Sequence, residues 1–134
     1  MTTEIVDYRT ELSYCALEQA TFADLTVAEH LNLAAKVRGI QSDDTSLILE
    51  CGLEEHKDVQ SQFLSSGLRS RLKIALAIQS QPKILLWDEP GVALDGAGKA
   101  LIERVIAEQK TRGLLVIATN DPDERRFGTH ELEL

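Results

Sequence analysis

The stretch KILLWDEP, Lys83 to Pro90, drives four consecutive apolar residues, Ile84 to Trp87, into two adjacent acids, Asp88 and Glu89, and then a proline. Apolar residues that do not alternate describe a strand buried on both faces, as in a parallel sheet. Upstream, Leu68, Leu72, Ala75, Leu76 and Gln79 fall at helical spacing, Arg69, Arg71 and Lys73 spread around the other faces, and Pro82 ends the helix. Downstream, GVALD is a turn. GAGKALIERVIAEQKTRG is a helix with Leu101, Ile102, Val105 and Ile106 on one face and Gly113 as its stop, and LLVIATND is a second continuous apolar strand. Helix, buried strand, helix, buried strand is the order of a parallel sheet covered by helices.

The first half reads differently. ELSYCAL, Glu11 to Leu17, mixes apolar and β-prone residues and predicts a strand. Thr26 with Glu29 three residues on forms a capping box for a short helix through Leu31, Leu33, Ala34, Ala35 and Val37, which Gly39 ends. SDDTSLILECGL predicts a second short helix, capped by Ser42 and stopped at Gly52. EEHKDVQSQ reads as a loop or a frayed helix end, and the closing ELEL as a short last strand. The expected architecture is α/β, with two structural zones in one unit.

A length of 134 residues suits one domain. The net charge of −8 argues against a non-specific nucleic-acid binder and against direct docking on anionic lipid. No apolar run approaches the roughly 20 residues that span a bilayer. The acidic start, MTTEIVDYRTEL, has no apolar signal core, so a cytoplasmic location is expected. Cys15 and Cys51 read as small buried thiols in a reducing compartment. His30, His56 and His130 sit among polar residues and read as surface histidines, not metal ligands.

Ligands of open parallel sheets gather outside the carboxyl ends of the strands, where Asp88 and Glu89 stand. Neighbouring strand residues point to opposite sides, so one acid can hold a metal–phosphate complex and the other can address a water. Taken alone, the pair reads equally well as the opening of a surface turn. Leu64 to Gly67, LSSG, lie directly before the helix and offer a hydroxyl and free backbone N–H groups to a phosphate. Alone, that serine is an ordinary N-cap.

Read as one unit, LSSGLRSRLKIALAIQSQPKILLWDEPGVALD resembles the ATP-binding cassette ATPases, the nucleotide-binding subunits of ABC transporters. It is similar to that family's signature motif, Walker B motif and D-loop in succession. LSYCALEQATFADLTVAEHLNLAAKVRG resembles the Q-loop strand and the start of the helical subdomain, so the likeness runs from about Glu11 to the end. The wording LTVAEHL is similar to cassettes that serve exporters, including the cytochrome c biogenesis type. The resemblance implies a P-loop NTPase-type, mainly parallel sheet with flanking helices, incomplete here, plus a helical subdomain over about residues 25–80, with the sheet core in residues 8–17 and 81–134. It implies ATP and Mg²⁺ as cofactors. It also implies a second ATPase subunit and a membrane-spanning permease as partners, no nucleic acid, and a peripheral place on the cytoplasmic face of the membrane.

Residue by residue, the resemblance makes Asp88 the aspartate that supports Mg²⁺ through water, and Glu89 the general base that orients the attacking water. Ser65, Ser66 and Gly67, with the following helix N-terminus, would meet the γ-phosphate of ATP held by a second subunit. Asp95 is the D-loop aspartate that works across the dimer interface, and Asn120 stands where the family has its switch histidine. The signature departs from the family pattern at Ser66 and Leu68. The expected Q-loop glutamine falls on Leu17, with Gln19 two residues later, so Gln19 substitutes through a shifted loop or that function is lost. Asn120 donates a hydrogen bond but does not titrate. The phosphate loop G-x-x-x-x-G-K-[ST] occurs nowhere in these residues, and Lys99 in DGAGKAL reads as a solvated helix residue. The expectation is the C-terminal two thirds of a cassette, inactive alone and prone to association through an open strand edge. The alternative is a non-catalytic cassette-like module that completes a partner's ATP site. A cassette of the soluble DNA-repair or translation type fits the acidic charge poorly.

Overall fold

Three short apolar segments form one parallel sheet in the computed structural model, which describes residues 8–92 and 94–133. A one-turn helix α1 (Tyr8–Glu11) leads into β1 (Leu12–Ala16). Helices α2 (Val27–Arg38), α3 (Asp44–Glu50) and α4 (Ser66–Ile78) follow, then β2 (Ile84–Asp88), α5 (Gly96–Arg112) and β3 (Leu114–Ala118). The strand order is β1-β2-β3, with Leu12, Ile84 and Leu114 level at one end and Ala16, Asp88 and Ala118 level at the other.

The two faces of this sheet differ. Cys15, Leu85 and Trp87, with Leu115 and Ile117, turn toward α4 and α5 and meet Leu72, Ile74, Leu101, Ile102, Val105 and Ile106 in one core. Trp87 is a core residue there, level with Cys15 and Ile117. On the other face Leu12, Tyr14, Ile84, Leu114 and Val116 are exposed, Tyr14 to 51 %. The expectation that both apolar runs are buried on both faces therefore fails. The helices cover only one side, so β2 and β3 alternate in burial despite unbroken apolar sequence. Among the described residues β3 pairs only with β2, which leaves its outer edge open.

Local signals account for most helix ends. The capping box is formed: Glu29 N–H donates to Thr26 Oγ1 at 3.2 Å, and Thr26 N–H to the Glu29 carboxylate at 2.8 Å. Gly39 closes α2 at φ 68°, a left-handed conformation open to a residue without Cβ. α3 is capped by Asp43 and not by Ser42: the Asp43 carboxylate takes the Ser46 N–H at 3.1 Å, while the Ser42 hydroxyl turns to Asp44. α4 starts at Ser66, two residues before the apolar periodicity sets in, because Ser65 caps it by accepting the Leu68 N–H at 3.2 Å. Gly113 ends α5 for a different reason. Its φ of 178° suits any residue, but a Cβ there would lie 2.1 Å from the Lys83 carbonyl oxygen.

Three other expectations change. The EEHKDVQSQ stretch is ordered by 3₁₀ turns at Glu54–His56 and Ser61–Phe63, with Gln60 bridged to Thr26. The closing residues 131–133 form no strand, and Leu134 lies outside the described residues. His30 is buried, not on the surface: its Nε2 accepts the Phe22 N–H at 2.9 Å and its Nδ1–H donates to the Thr26 carbonyl at 2.8 Å. The first turn of α2 folds against the preceding loop, and the ring serves both backbones. Cys15 and Cys51 are free and buried, as expected, and burial pushes both thiols up to about 12.

Candidate functional site

β2 delivers Asp88 to the carboxyl end of the sheet, where its side chain is exposed. Among the described residues its carboxylate takes no hydrogen bond or ion pair. Glu89 follows with φ 49°, an uncommon conformation for a residue with a Cβ. Its N–H donates to the Ala118 carbonyl at 2.8 Å, which fastens the turn to the end of β3. Its carboxylate is held by the segment after β3. Oε1 accepts from Asn120 N–H at 3.0 Å and from Asn120 Nδ2 at 3.2 Å, and Oε2 accepts from the Thr119 hydroxyl at 3.3 Å. The sheet thus brings Asp88, Glu89 and Asn120 together.

Behind the acids lies a small cavity of about 20 Å³, room for one water. Leu17, Ser70, Lys73, Asp88 and Glu89 line it. The Ser70 hydroxyl is buried there without a hydrogen-bond partner among the described residues, a polar group suited to that water. Lys73 Nζ donates to the Leu17 carbonyl, so a cation on α4 ties down the loop after β1. Burial lowers the Lys73 ammonium from its ordinary value, and Arg69 lowers it further against the opposing influence of Cys15. Gln19 lies in the turn after β1, its N–H donating to the Ala16 carbonyl at 3.2 Å and its Oε1 buried without a partner among the described residues. Leu17 is exposed.

The other sequence-predicted residues stand on separate elements. Ser65 and Ser66 are exposed at the start of α4 and Gly67 is half-buried in its first turn. None of the three lines the cavity beside the acids. Asp95 caps α5 by accepting the Gly98 N–H at 2.8 Å, and its two oxygens accept from Arg71 Nη2 at 2.8 and 3.1 Å. The Gly98 hydrogen bond, with Arg71 next, holds this carboxyl below the usual range. Asp95 therefore links α4 to α5 within the chain. Among the described residues no three His, Cys, Asp or Glu side chains gather as a metal site.

A family profile described as ABC transporter matches residues 1–92. The chain belongs to the ABC transporter family. It is similar to the phospholipid-transporting ATPase ABCA3 of Homo sapiens, 31% identical over 126 residues, which are 90% of this chain and 7% of that protein. ATP-binding cassette sub-family A member 10 of Homo sapiens is 29% identical over 127 residues, 91% of this chain and 8% of that one. The chain spans less than a tenth of the length of these curated ABC relatives. A solved ATP-binding subunit of an ABC transporter superposes with a TM-score of 0.76 at 25% identity, over 90% of this chain and 53% of that one. A dimeric ATP-binding cassette in a post-hydrolysis state, bound to ADP and Pi, shares the fold with a TM-score of 0.77 at 24% identity, over 90% of this chain and 56% of that one. The chain is thus part of an ABC transporter ATP-binding domain with the P-loop NTPase fold.

Four residues at or beside this ABC site escape sequence reasoning: Arg71, Lys73, Thr119 and Glu124. Arg71 and Lys73 read as surface charges on a helix. The available signal for Lys73 was its place inside the apolar run LKIALAI, where a charge breaks the face that packs. Thr119 and Glu124 act only through the fold, because their partners lie about thirty residues away.

Proposed function

We propose that these residues supply the acid pair, the switch segment and the signature helix of an ABC-transporter ATPase, while the phosphate cradle comes from outside them. The observation that carries this reading is Glu89, held at the end of β2 by Thr119 and Asn120 beside an Asp88 that has no bonding partner among the described residues. A free, exposed carboxylate fits Mg²⁺, which keeps several waters and binds through one or two carboxylates plus substrate phosphates. Mg²⁺ would neutralise developing charge on those phosphates. Asp88 is the residue that would hold it through water. Glu89, fixed by three donors, orients a water and accepts its proton. Ser65, Ser66 and Gly67 present a hydroxyl and the positive end of α4 to a phosphate bound by a second subunit. Gln19 contributes from the loop after β1, and Asp95 from the start of α5, facing the second subunit. In this reading residues 25–80 form the helical subdomain, residues 8–17 and 81–134 the sheet core. The unit sits peripherally on the cytoplasmic face of the membrane against a permease, and the LTVAEHL wording favours a cassette of the exporter type.

Calorimetric titration of Mg·ATP into this chain should show no micromolar binding, since the cradle that holds the β- and γ-phosphates is not in it. In a chain that also carries a phosphate loop, Glu89→Gln should stop turnover and leave an ATP-bound dimer; retained hydrolysis would contradict the role of Glu89. Leu17 at the Q-loop glutamine position and Asn120 at the switch-histidine position favour a second reading, a non-catalytic module that completes a partner's ATP site. Under it, Ser65→Ala would weaken ATP turnover by the partner, whereas Glu89→Gln would not.

A further inference from the structure

Glu124 is a charged residue only 7% exposed, inside the 3₁₀ helix Pro122–Phe127 that follows β3. Its Oε1 accepts the Gly91 N–H at 2.6 Å, and its Oε2 is buried with no partner among the described residues. A Cβ on Gly91 would lie 2.4 Å from that Oε1, closer than side chains come. Gly91 is not among the residues with positive φ, so its own backbone does not require glycine. Glycine there leaves room for the approach of the carboxylate, which a Cβ would displace.

The turn that Glu124 grips begins at the strained Glu89. Its φ of 49° places that residue in a region which persists only where surrounding structure over-determines it. One set of constraints comes from Ala118, Thr119 and Asn120 on Glu89 itself. The second is the Glu124 bond two residues on, and Val92 N–H closes the turn onto the Glu89 carbonyl at 3.3 Å. Charge-assisted hydrogen bonds are shorter and stronger than neutral ones, which suits a carboxylate set to hold a single amide. We propose that Glu124 is a positioning residue for Glu89: by pinning Gly91 it fixes the left-handed turn and so keeps the Glu89 carboxylate against Asn120. The functional meaning rests on the reading of Glu89 given above; the geometric coupling does not.

The test uses the 134-residue chain, ¹⁵N-labelled, as wild type, Glu124→Ala, Glu124→Gln and Glu103→Ala. The last breaks another anchor of the same 3₁₀ helix, the Arg126–Glu103 pair at 2.8 Å, and leaves Glu124 intact. Two signals are read: hydrogen exchange at the Gly91 amide, and the side-chain amide resonances of Asn120, which report its bond to Glu89. Glu124→Ala should raise Gly91 exchange at least tenfold and move the Asn120 resonances toward those of a free amide. Glu124→Gln should restore part of both, and Glu103→Ala should change neither. Unchanged Asn120 resonances alongside faster Gly91 exchange would overturn the proposal, as would unchanged Gly91 exchange. If Glu124→Ala fails to fold, Gly91→Ala, which pushes the carboxylate away, carries the same two readouts with the same outcomes. None of these depends on turnover, so an inactive cassette would remove the proposed function without touching this coupling. In a chain that also carries a phosphate loop, Glu124→Ala should lower kcat about tenfold with the KM for ATP unchanged; a higher KM at constant kcat would overturn it.

Discussion

Replacing Gln109 by leucine removes a buried amide that serves two strands at once. Gln109 is 1% exposed, and its Nε2 donates to the Pro82 carbonyl at 3.0 Å and to the Leu114 carbonyl at 3.2 Å. Those oxygens lie at the amino ends of β2 and β3, so one side chain fixes where both strands begin. The Pro82 bond is buried, and an acceptor left there without a donor costs about 1–3 kcal/mol. The Leu114 bond is only partly buried, so its loss is about 0.5–1 kcal/mol. Leucine returns about 1 kcal/mol of apolar burial. The net loss is then about 2 kcal/mol. The chain has one tryptophan, Trp87, buried in the core, so its fluorescence follows urea unfolding without added probes. With a slope near 1.5 kcal/mol/M, the midpoint should fall by about 1 M. A Gln109→Leu protein with an unchanged or higher midpoint would show that this amide does not anchor the sheet.

Alkaline stability should also respond to the two thiols. Cys15 and Cys51 are raised by burial from 9.0 to about 12, so the folded state keeps protons that the unfolded state releases. Their contribution is complete below about pH 9 and is lost as pH climbs toward about 12; a Cys15→Ala, Cys51→Ala protein should show a shallower fall in urea midpoint between pH 9 and pH 11. The open sheet face and the free edge of β3 should make this chain associate as concentration rises. Light scattering after size exclusion would show it, Tyr14→Lys with Val116→Lys should suppress it, and a clean monomer of the unmodified chain at high concentration would count against the idea.

Much of the fold was legible because its signals are local. The Thr26–Glu29 box, the stop at Gly39 and the apolar runs of β2 and β3 each depend on residues within a few positions. What the sequence could not show was coverage. KILLWD and LLVIA look buried on both sides, yet exposure depends on which helices pack where, and α4 and α5 share one face. The site divided along the same line. Asp88 and Glu89 announce themselves as acids at a strand end, and Ser65 as a helix start. The bond from Asn120 to Glu89 and the grip of Glu124 on Gly91 span 31 and 33 residues and appear only once the strands align. His30 was misjudged for a similar reason: polar neighbours in sequence say nothing about the backbone groups that fold over a ring.

The contact of Gly113 with the Lys83 carbonyl has a mechanical consequence. β2 and β3 are fastened together at their amino ends, where Gly113 fits against Lys83, the Leu114 N–H donates to the Lys83 carbonyl at 2.8 Å, and Gln109 bonds both segments. Just past their carboxyl ends, they are fastened again through Glu89 and Asn120. A pair of rods joined at both ends does not shear. Any rearrangement around the acids therefore has to break the bonds from Thr119 and Asn120 to Glu89 first, while the sheet stays a fixed frame.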